Sequence, residues 1–174
     1  KVNVFHVDEY IGFAQEDERR LSRQLLDYFF RDIQLGGTYF LDPLANDLEQ
    51  ECARYEALLR RHPTDIAFNE PGQADFHEPR LVKIAVIDEI SKRQLVNHKN
   101  FGSVEEMPNN AYTLTLTALM AARYVIYTTP FRTKAVASYH TVFGPIDEGC
   151  PASIMRRHKN AVAFFDSGSS ALFE

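Results

Sequence analysis

The chain has no tryptophan, only two cysteines, and no apolar run approaching the ~18 residues that a membrane span requires. Cys52 and Cys150 stand in unrelated contexts and form no C-x-x-C pair, which argues against a disulfide framework and for reduced thiols in a cytoplasmic protein. A basic excess is also missing: 19 Lys and Arg face 24 Asp and Glu, leaving a net charge of −5. That balance, with no basic stripe, argues against nucleic acid as the main partner, although a local anion site stays compatible with it. The opening Lys1-Val2-Asn3-Val4-Phe5 lacks a signal pattern, so no membrane partner is expected. Repeats, low-complexity tracts and linkers are absent, and His6, His77, His98, His140 and His158 are too dispersed to suggest a metal site.

What is present suits one globular domain with a substantial core: 174 residues, 45% of them hydrophobic and 25% charged. Val2–Val7 is rich in β-branched and aromatic residues and stops at Asp8, the pattern of a strand buried on both faces. Leu21, Leu25, Phe29 and Ile33 recur every four residues behind Glu16-Asp17-Glu18, predicting an amphipathic helix that Gly36-Gly37 ends. Leu44, Leu48, Cys52, Tyr55 and Leu58 form the apolar stripe of a second helix, closed by Pro63. Val82–Ile87, Tyr124–Thr128 and Ala161–Phe165 read as core strands, and helical patterns occupy Glu89–Val96, Thr133–Val142 and Ala152–Arg157. Such alternation predicts a doubly wound α/β fold with a mainly parallel sheet flanked by helices, Rossmann-like in architecture.

Open α/β sheets build their sites at the carboxyl ends of strands. Asp8 directly follows the first strand, where a partly desolvated carboxylate can serve as a base, and a capping or turn aspartate is the plainer alternative. Thr128–Ala135 joins a core strand to a helix, a place where backbone N–H groups and the helix dipole favour an anion. Arg132 and Lys134 lie there, and cations at a helix start are unfavourable unless an anion joins them.

Asp8-Glu9-Tyr10-Ile11-Gly12 and Ile66-Ala67-Phe68-Asn69-Glu70-Pro71, in this order, resemble the glucosamine-6-phosphate deaminase (isomerase) family. The resemblance implies that Asp8 moves a proton from sugar C2 to C1 and that Glu9 contacts or positions substrate. It implies that Glu70 supports a ring-opening histidine and that Lys134 binds the phosphate, to which Arg132 beside it can add a bidentate contact. Asp88–Gln94 resembles the segment that supplies a phosphate-contacting arginine, for which Arg93 is the nearest match. Arg80 occupies a position that some members use for an allosteric phosphosugar, but Val82 replaces a cationic neighbour, so allostery is not implied.

The chain also departs from the family pattern. The strand, Gly-x-Gly turn and Gly-His that should precede Ile66 are absent, and His62 lies too far from Glu70, beyond Pro63, to replace the histidine. A segment is therefore expected to be missing between about Thr64 and Ala67, as are a strand and a phosphate loop ahead of Val2. With those gaps, residues 1–174 are expected to form a single sugar-phosphate isomerase-like domain. The implied reaction converts glucosamine 6-phosphate to fructose 6-phosphate and ammonia, without nicotinamide, flavin or metal. The implied partner is a phosphorylated amino sugar, and the 13 Phe and 8 Tyr leave a homo-oligomer open. Alternatives within the same superfamily are a 6-phosphogluconolactonase, a non-catalytic sugar-phosphate sensor and a divergent phosphosugar-binding protein.

Overall fold

The computed structural model describes residues 2–62, 66–67, 74–97 and 101–174. In chain order the elements are β1 (Asn3–Phe5), β2 (Asp8–Tyr10), α1 (Leu21–Gln24), β3 (Gly37–Tyr39), α2 (Leu48–Arg61), β4 (Ile66–Ala67), β5 (Val82–Val86), α3 (Glu89–Asn97), β6 (Asn110–Leu114), α4 (Leu116–Met120), β7 (Tyr124–Thr129), α5 (Ala135–Phe143) and β8 (Ala161–Phe165). A π-helical turn, Leu25–Phe29, continues α1, and 3-10 turns occupy Val104–Glu106, Arg132–Lys134 and Pro151–Arg157. The fold is α/β, with parallel pairing at β1–β3, β4–β7 and β7–β8 and antiparallel pairing at β2–β6 and β5–β6. Among the described residues no helix is long and apolar enough to cross a membrane. The chain divides into two compact units, residues 1–58 with 82–114 and residues 59–81 with 115–174.

In the first unit the expected strand over Val2–Val7 is shorter and breaks before Asp8. The His6 N–H donates to Tyr39 O (3.1 Å), but one residue later Val7 O accepts from Leu114 N (2.8 Å). The backbone thus changes partner between His6 and Val7, ending β1 and making Asp8 the first residue of β2 rather than the residue after a strand. β1 is also not buried on both faces, since Asn3 is exposed and Val4 and Phe5 are half-buried. β2 pairs with β6 in the register Asp8↔Thr113, Glu9↔Tyr112 and Tyr10↔Ala111. Side chains alternate across a strand, so Asp8 and Glu9 leave the sheet on opposite faces. Tyr10 packs with Phe101 and Met107, and Phe13, Leu21 and Ile87 lie around them. Burying the Tyr10 ring contributes about 1.5–3 kcal/mol.

The helix expected from Leu21 to Gly36 is also shorter. It passes into the π turn and stops at Phe30, whose N–H bonds Leu25 O (2.9 Å), and Gly37 instead opens β3. Its four-residue apolar stripe is not a buried face, because Phe29 and Ile33 are exposed. The wider turn rotates the residues after Leu25 out of register with a regular helix. α2 begins at Leu48, later than the stripe suggests, because the Asp47 carboxylate accepts from Gln50 N (3.0 Å) as an N-cap. Its buried apolar residues are Cys52, Tyr55 and Leu59, while Leu44 is exposed.

In the second unit β7 is the middle strand between β4 and β8, with Val125, Tyr127 and Thr129 buried at alternate positions. The Thr115 hydroxyl caps α4 by accepting from Ala118 N (3.2 Å) and donates to Arg80 O (2.7 Å). β7, α3, α5 and β8 lie within two residues of their predicted positions at each end, but β8 is not the core strand expected, because it pairs only with β7 among the described strands and Val162, Ala163 and Phe164 are exposed.

Candidate active site

Asp8 stands at a cavity of about 330 Å³ in the first unit, lined by His6, Asp8, Leu21, Gln24, Leu25, Tyr28 and Phe29. The π turn gives this cavity its aromatic wall, with Tyr28 and Phe29 exposed on it. The Asp8 side chain is 45% exposed, and its Oδ1 lies 3.6 Å from Nε2 of His6, which is 6% exposed. Burial drives the His6 imidazole down from its ordinary 6.5 to about 4, with Glu9 opposing the shift and Arg20 reinforcing it. The imidazole is therefore neutral near pH 7.

Tyr55 fixes the approach to this site. Its fully buried hydroxyl lies 2.9 Å from His6 O and 2.8 Å from Tyr39 O, so one phenol gathers the ends of β1 and β3. Burial raises the Tyr55 hydroxyl pKa, so Tyr55 acts as a neutral donor. The Phe5 ring stacks on Tyr39 with centroids 4.4 Å apart.

Glu9 points the other way and is 0% exposed. Its Oε1 accepts from Tyr10 N and Leu21 N (both 3.0 Å), and its Oε2 accepts from Ser22 N (3.1 Å) and the Ser22 hydroxyl. The Arg20 guanidinium is 3.5 Å from Oε2. A helix start leaves backbone donors without intrahelical partners, and Glu9 supplies acceptors for α1 from 12 and 13 residues away. Of the two roles expected for Glu9, positioning matches this enclosure.

The second set of predicted residues lies in the second unit. Arg132 is exposed and Lys134 half-buried on the 3-10 turn that leads from β7 into α5. Phe131, just ahead of them, has φ 77°, a left-handed conformation that a side chain adopts only under strain of order 1–3 kcal/mol. Asp166, at the end of β8, holds it there by accepting from Phe131 N (2.9 Å) and Ser169 N (2.7 Å). These amides keep the Asp166 carboxyl below its ordinary range. Gly168 belongs to the same clamp, because a Cβ there would sit 2.9 Å from Arg132 N.

Arg93 is exposed on α3 and is not among the residues lining the Asp8 cavity. Glu70 and its neighbours Phe68, Asn69 and Pro71 lie outside the described residues, whereas Ile66 and Ala67 form β4 beside β7. His158 has a structural place: Asn160 N donates to its Nδ1 (3.1 Å), leaving Nε2 to donate to Ala122 O (2.9 Å). Sequence reasoning missed His6, Tyr55 and the π-turn aromatics. The only signal for His6 was its position two residues before Asp8 in an extended segment.

Comparison with known proteins places this geometry in a family. No family model matches the chain. The glucosamine-6-phosphate deaminase of Listeria innocua is 30% identical to it over 182 residues, spanning 98% of this chain and 76% of that protein. The glucosamine-6-phosphate deaminase of Bacillus cytotoxicus is 29% identical and is covered over 68% of its length, again matching 98% of this chain. The solved structure of a monomeric glucosamine-6-phosphate deaminase superposes with a TM-score of 0.85 at 24% identity, covering 97% of this chain and 73% of that one. The 6-phosphogluconolactonase of Leishmania guyanensis shares the fold more distantly, with a TM-score of 0.68 at 14% identity, over 95% of this chain and 72% of that one. With Asp8 lining a cavity and 98% of the chain aligned at 30% identity to a curated deaminase, the chain belongs to the glucosamine-6-phosphate deaminase family.

Proposed function

We propose that the chain deaminates and isomerises glucosamine 6-phosphate to fructose 6-phosphate and ammonia, with Asp8 as the proton-transfer base. The observation that carries this reading is the partly exposed Asp8 carboxylate on a 330 Å³ cavity, in a chain related over nearly its whole length to glucosamine-6-phosphate deaminases. In the open-chain sugar Asp8 takes the C2 proton while a proton passes from the substrate ammonium to the C1 carbonyl oxygen, giving an enolamine, and Asp8 returns its proton to C1. The resulting C2 iminium adds water and expels ammonia, leaving the C2 ketone. A carboxylate suits both halves because the carboxylic acid formed in the first donates the proton in the second, which regenerates the base.

Asp8 is held for this task by its neighbours. Glu9 fixes the start of α1, whose Leu21 and Gln24 line the cavity, and Tyr55 fixes the backbone at His6. Lys134 and Arg132 are proposed to receive the phosphate, supported by their place at the entry to α5 on a turn held under strain. Arg93 is proposed as a further phosphate contact and Glu70 as support for ring opening, both on the family resemblance of their segments. The two free thiols, Cys52 and Cys150, support a cytoplasmic setting for such an enzyme.

The test follows ammonia and fructose 6-phosphate from glucosamine 6-phosphate, and acid release from 6-phosphogluconolactone beside it. Both deaminase products in equal amounts, without lactone hydrolysis, is the expected result. Lactone hydrolysis without ammonia would refute the reading.

A further inference from the structure

We propose that His6 is a positioning residue for Asp8: its Nε2–H aims at the carboxylate, orients it toward the cavity and favours its ionised form. The inference rests on the reading of Asp8 as the base. The two residues sit on either side of the partner change between β1 and β2, and both line the cavity. The 3.6 Å from Nε2 to Oδ1 is just beyond hydrogen-bond length, and hydrogen bonds of this kind are commonly long in free enzymes and tighten around substrate.

The residue around the imidazole is held from several directions. Its backbone N–H donates to Tyr39 O, its carbonyl faces the Tyr55 hydroxyl, and Phe40 meets the ring edge-on with centroids 6.0 Å apart. Nδ1 is buried and has no hydrogen-bond partner among the described residues. A proton placed on Nδ1 would be a donor stranded away from water, whereas a proton on Nε2 leaves only a lone pair there and faces the N–H toward Asp8. The tautomer that costs least is therefore the one that serves the carboxylate.

Burial, with Arg20 adding to it, keeps this donor neutral against the carboxylates around it. Glu9 favours the imidazolium, Arg20 and burial oppose it, Asp8 faces Nε2, and Tyr55 supplies a neutral hydroxyl to the backbone. A cation beside Asp8 would depress its basicity strongly. A neutral donor fixes the carboxylate's orientation while leaving it a competent base.

The experiment follows the Asp8 side-chain carboxyl by carbon NMR across pH in the ligand-free protein, for the parent, His6→Gln and His6→Leu. Gln retains an N–H near the Nε2 position, and Leu has no donor. Asp8 is expected to titrate about one pH unit higher in His6→Leu and close to the parent in His6→Gln. With glucosamine 6-phosphate, kcat should fall about tenfold in His6→Leu at unchanged KM, the acid limb of kcat/KM should move upward, and His6→Gln should recover both. The same Asp8 titration in all three proteins would overturn the inference, as would a His6→Gln protein as impaired as His6→Leu. Should His6→Leu not fold, His6→Gln decides alone: parent-like titration supports the pairing, and displacement by a full unit overturns it. An inactive parent that still shows the Asp8 displacement would refute the proposed reaction and leave the pairing standing.

Discussion

Replacing Glu9 by Gln is expected to destabilise the first unit strongly, although only one oxygen becomes an amide. The carboxylate serves Tyr10 N, Leu21 N, Ser22 N and the Ser22 hydroxyl, and faces Arg20 at 3.5 Å. In one orientation the new NH2 confronts Ser22 N–H, and in the other it confronts the amides of Tyr10 and Leu21. Either way a buried backbone donor loses its acceptor at about 1–3 kcal/mol. The guanidinium of Arg20, whose side chain is 12% exposed, also loses its countercharge, and breaking a buried pair costs roughly 3–5 kcal/mol in all. These contributions overlap, so the expected loss is about 3–5 kcal/mol, a fall in Tm of roughly 6–20 °C for a chain of this size. Urea unfolding and thermal melting measure the total, and amide exchange at Leu21 and Ser22 reports whether the start of α1 opens. Ser22→Ala, which removes the hydroxyl donor but keeps the three backbone amides that donate to Glu9, should cost only about 1 kcal/mol. A Glu9→Gln protein within 1 kcal/mol of the parent, with Leu21 and Ser22 still protected, would refute the assignment of Glu9 as the anchor of α1.

Three further outcomes are expected. Tyr55→Phe removes the hydroxyl shared by His6 O and Tyr39 O and should lower the urea midpoint by the equivalent of about 1–2 kcal/mol at unchanged m-value. His6 has a folded pKa of about 4 against 6.5 unfolded, so between those values the unfolded chain binds more protons and stability rises with pH. Acidifying from pH 6.5 to 4 should therefore cost the parent on the order of 3 kcal/mol more than it costs His6→Gln, and equal pH slopes in urea unfolding would contradict this. Lys134→Met, removing the cation at the entry to α5, should raise KM for the phosphorylated substrate about tenfold or more while changing kcat less, measured by initial rates.

Elements governed by local pattern were legible in the sequence. β7 forms from a β-branched and aromatic run and β8 from the apolar run Ala161–Phe165, and α3 and α5 start within two residues of where their patterns begin. Elements governed by distant partners were not. The end of β1 at Phe5 depends on the backbone exchanging Tyr39 for Leu114 as its partner, which six residues of continuous β-former cannot signal. β6 pairs with both β2 and β5, a relation no local pattern states, and it makes this sheet antiparallel.

The site divides along the same line. Asp8, Lys134 and Arg132 were nominated by segment order and family resemblance, and Asp8 lies on the cavity of the first unit while Arg132 and Lys134 lie on the turn entering α5. For Glu9 the sequence left substrate contact and positioning open, and only its four acceptor contacts to Tyr10, Leu21 and Ser22 favour positioning. Phe131 carries a side chain at φ 77°, where sequence reasoning would expect glycine, and only the Asp166 clamp explains it. The π turn at Leu25–Phe29 was hidden because its four-residue spacing matches an ordinary helix.

The most direct test of Asp8 as the proton-transfer base follows glucosamine 6-phosphate carrying deuterium at C2, by NMR, in the parent and in Asp8→Asn. The parent should remove the label from C2, with part of it reappearing at C1 of fructose 6-phosphate as ammonia accumulates. Asp8→Asn, with its fold intact by amide spectrum, should leave the label at C2, slowed at least ~100-fold. Loss of the C2 label in Asp8→Asn at the parent's rate would contradict the account.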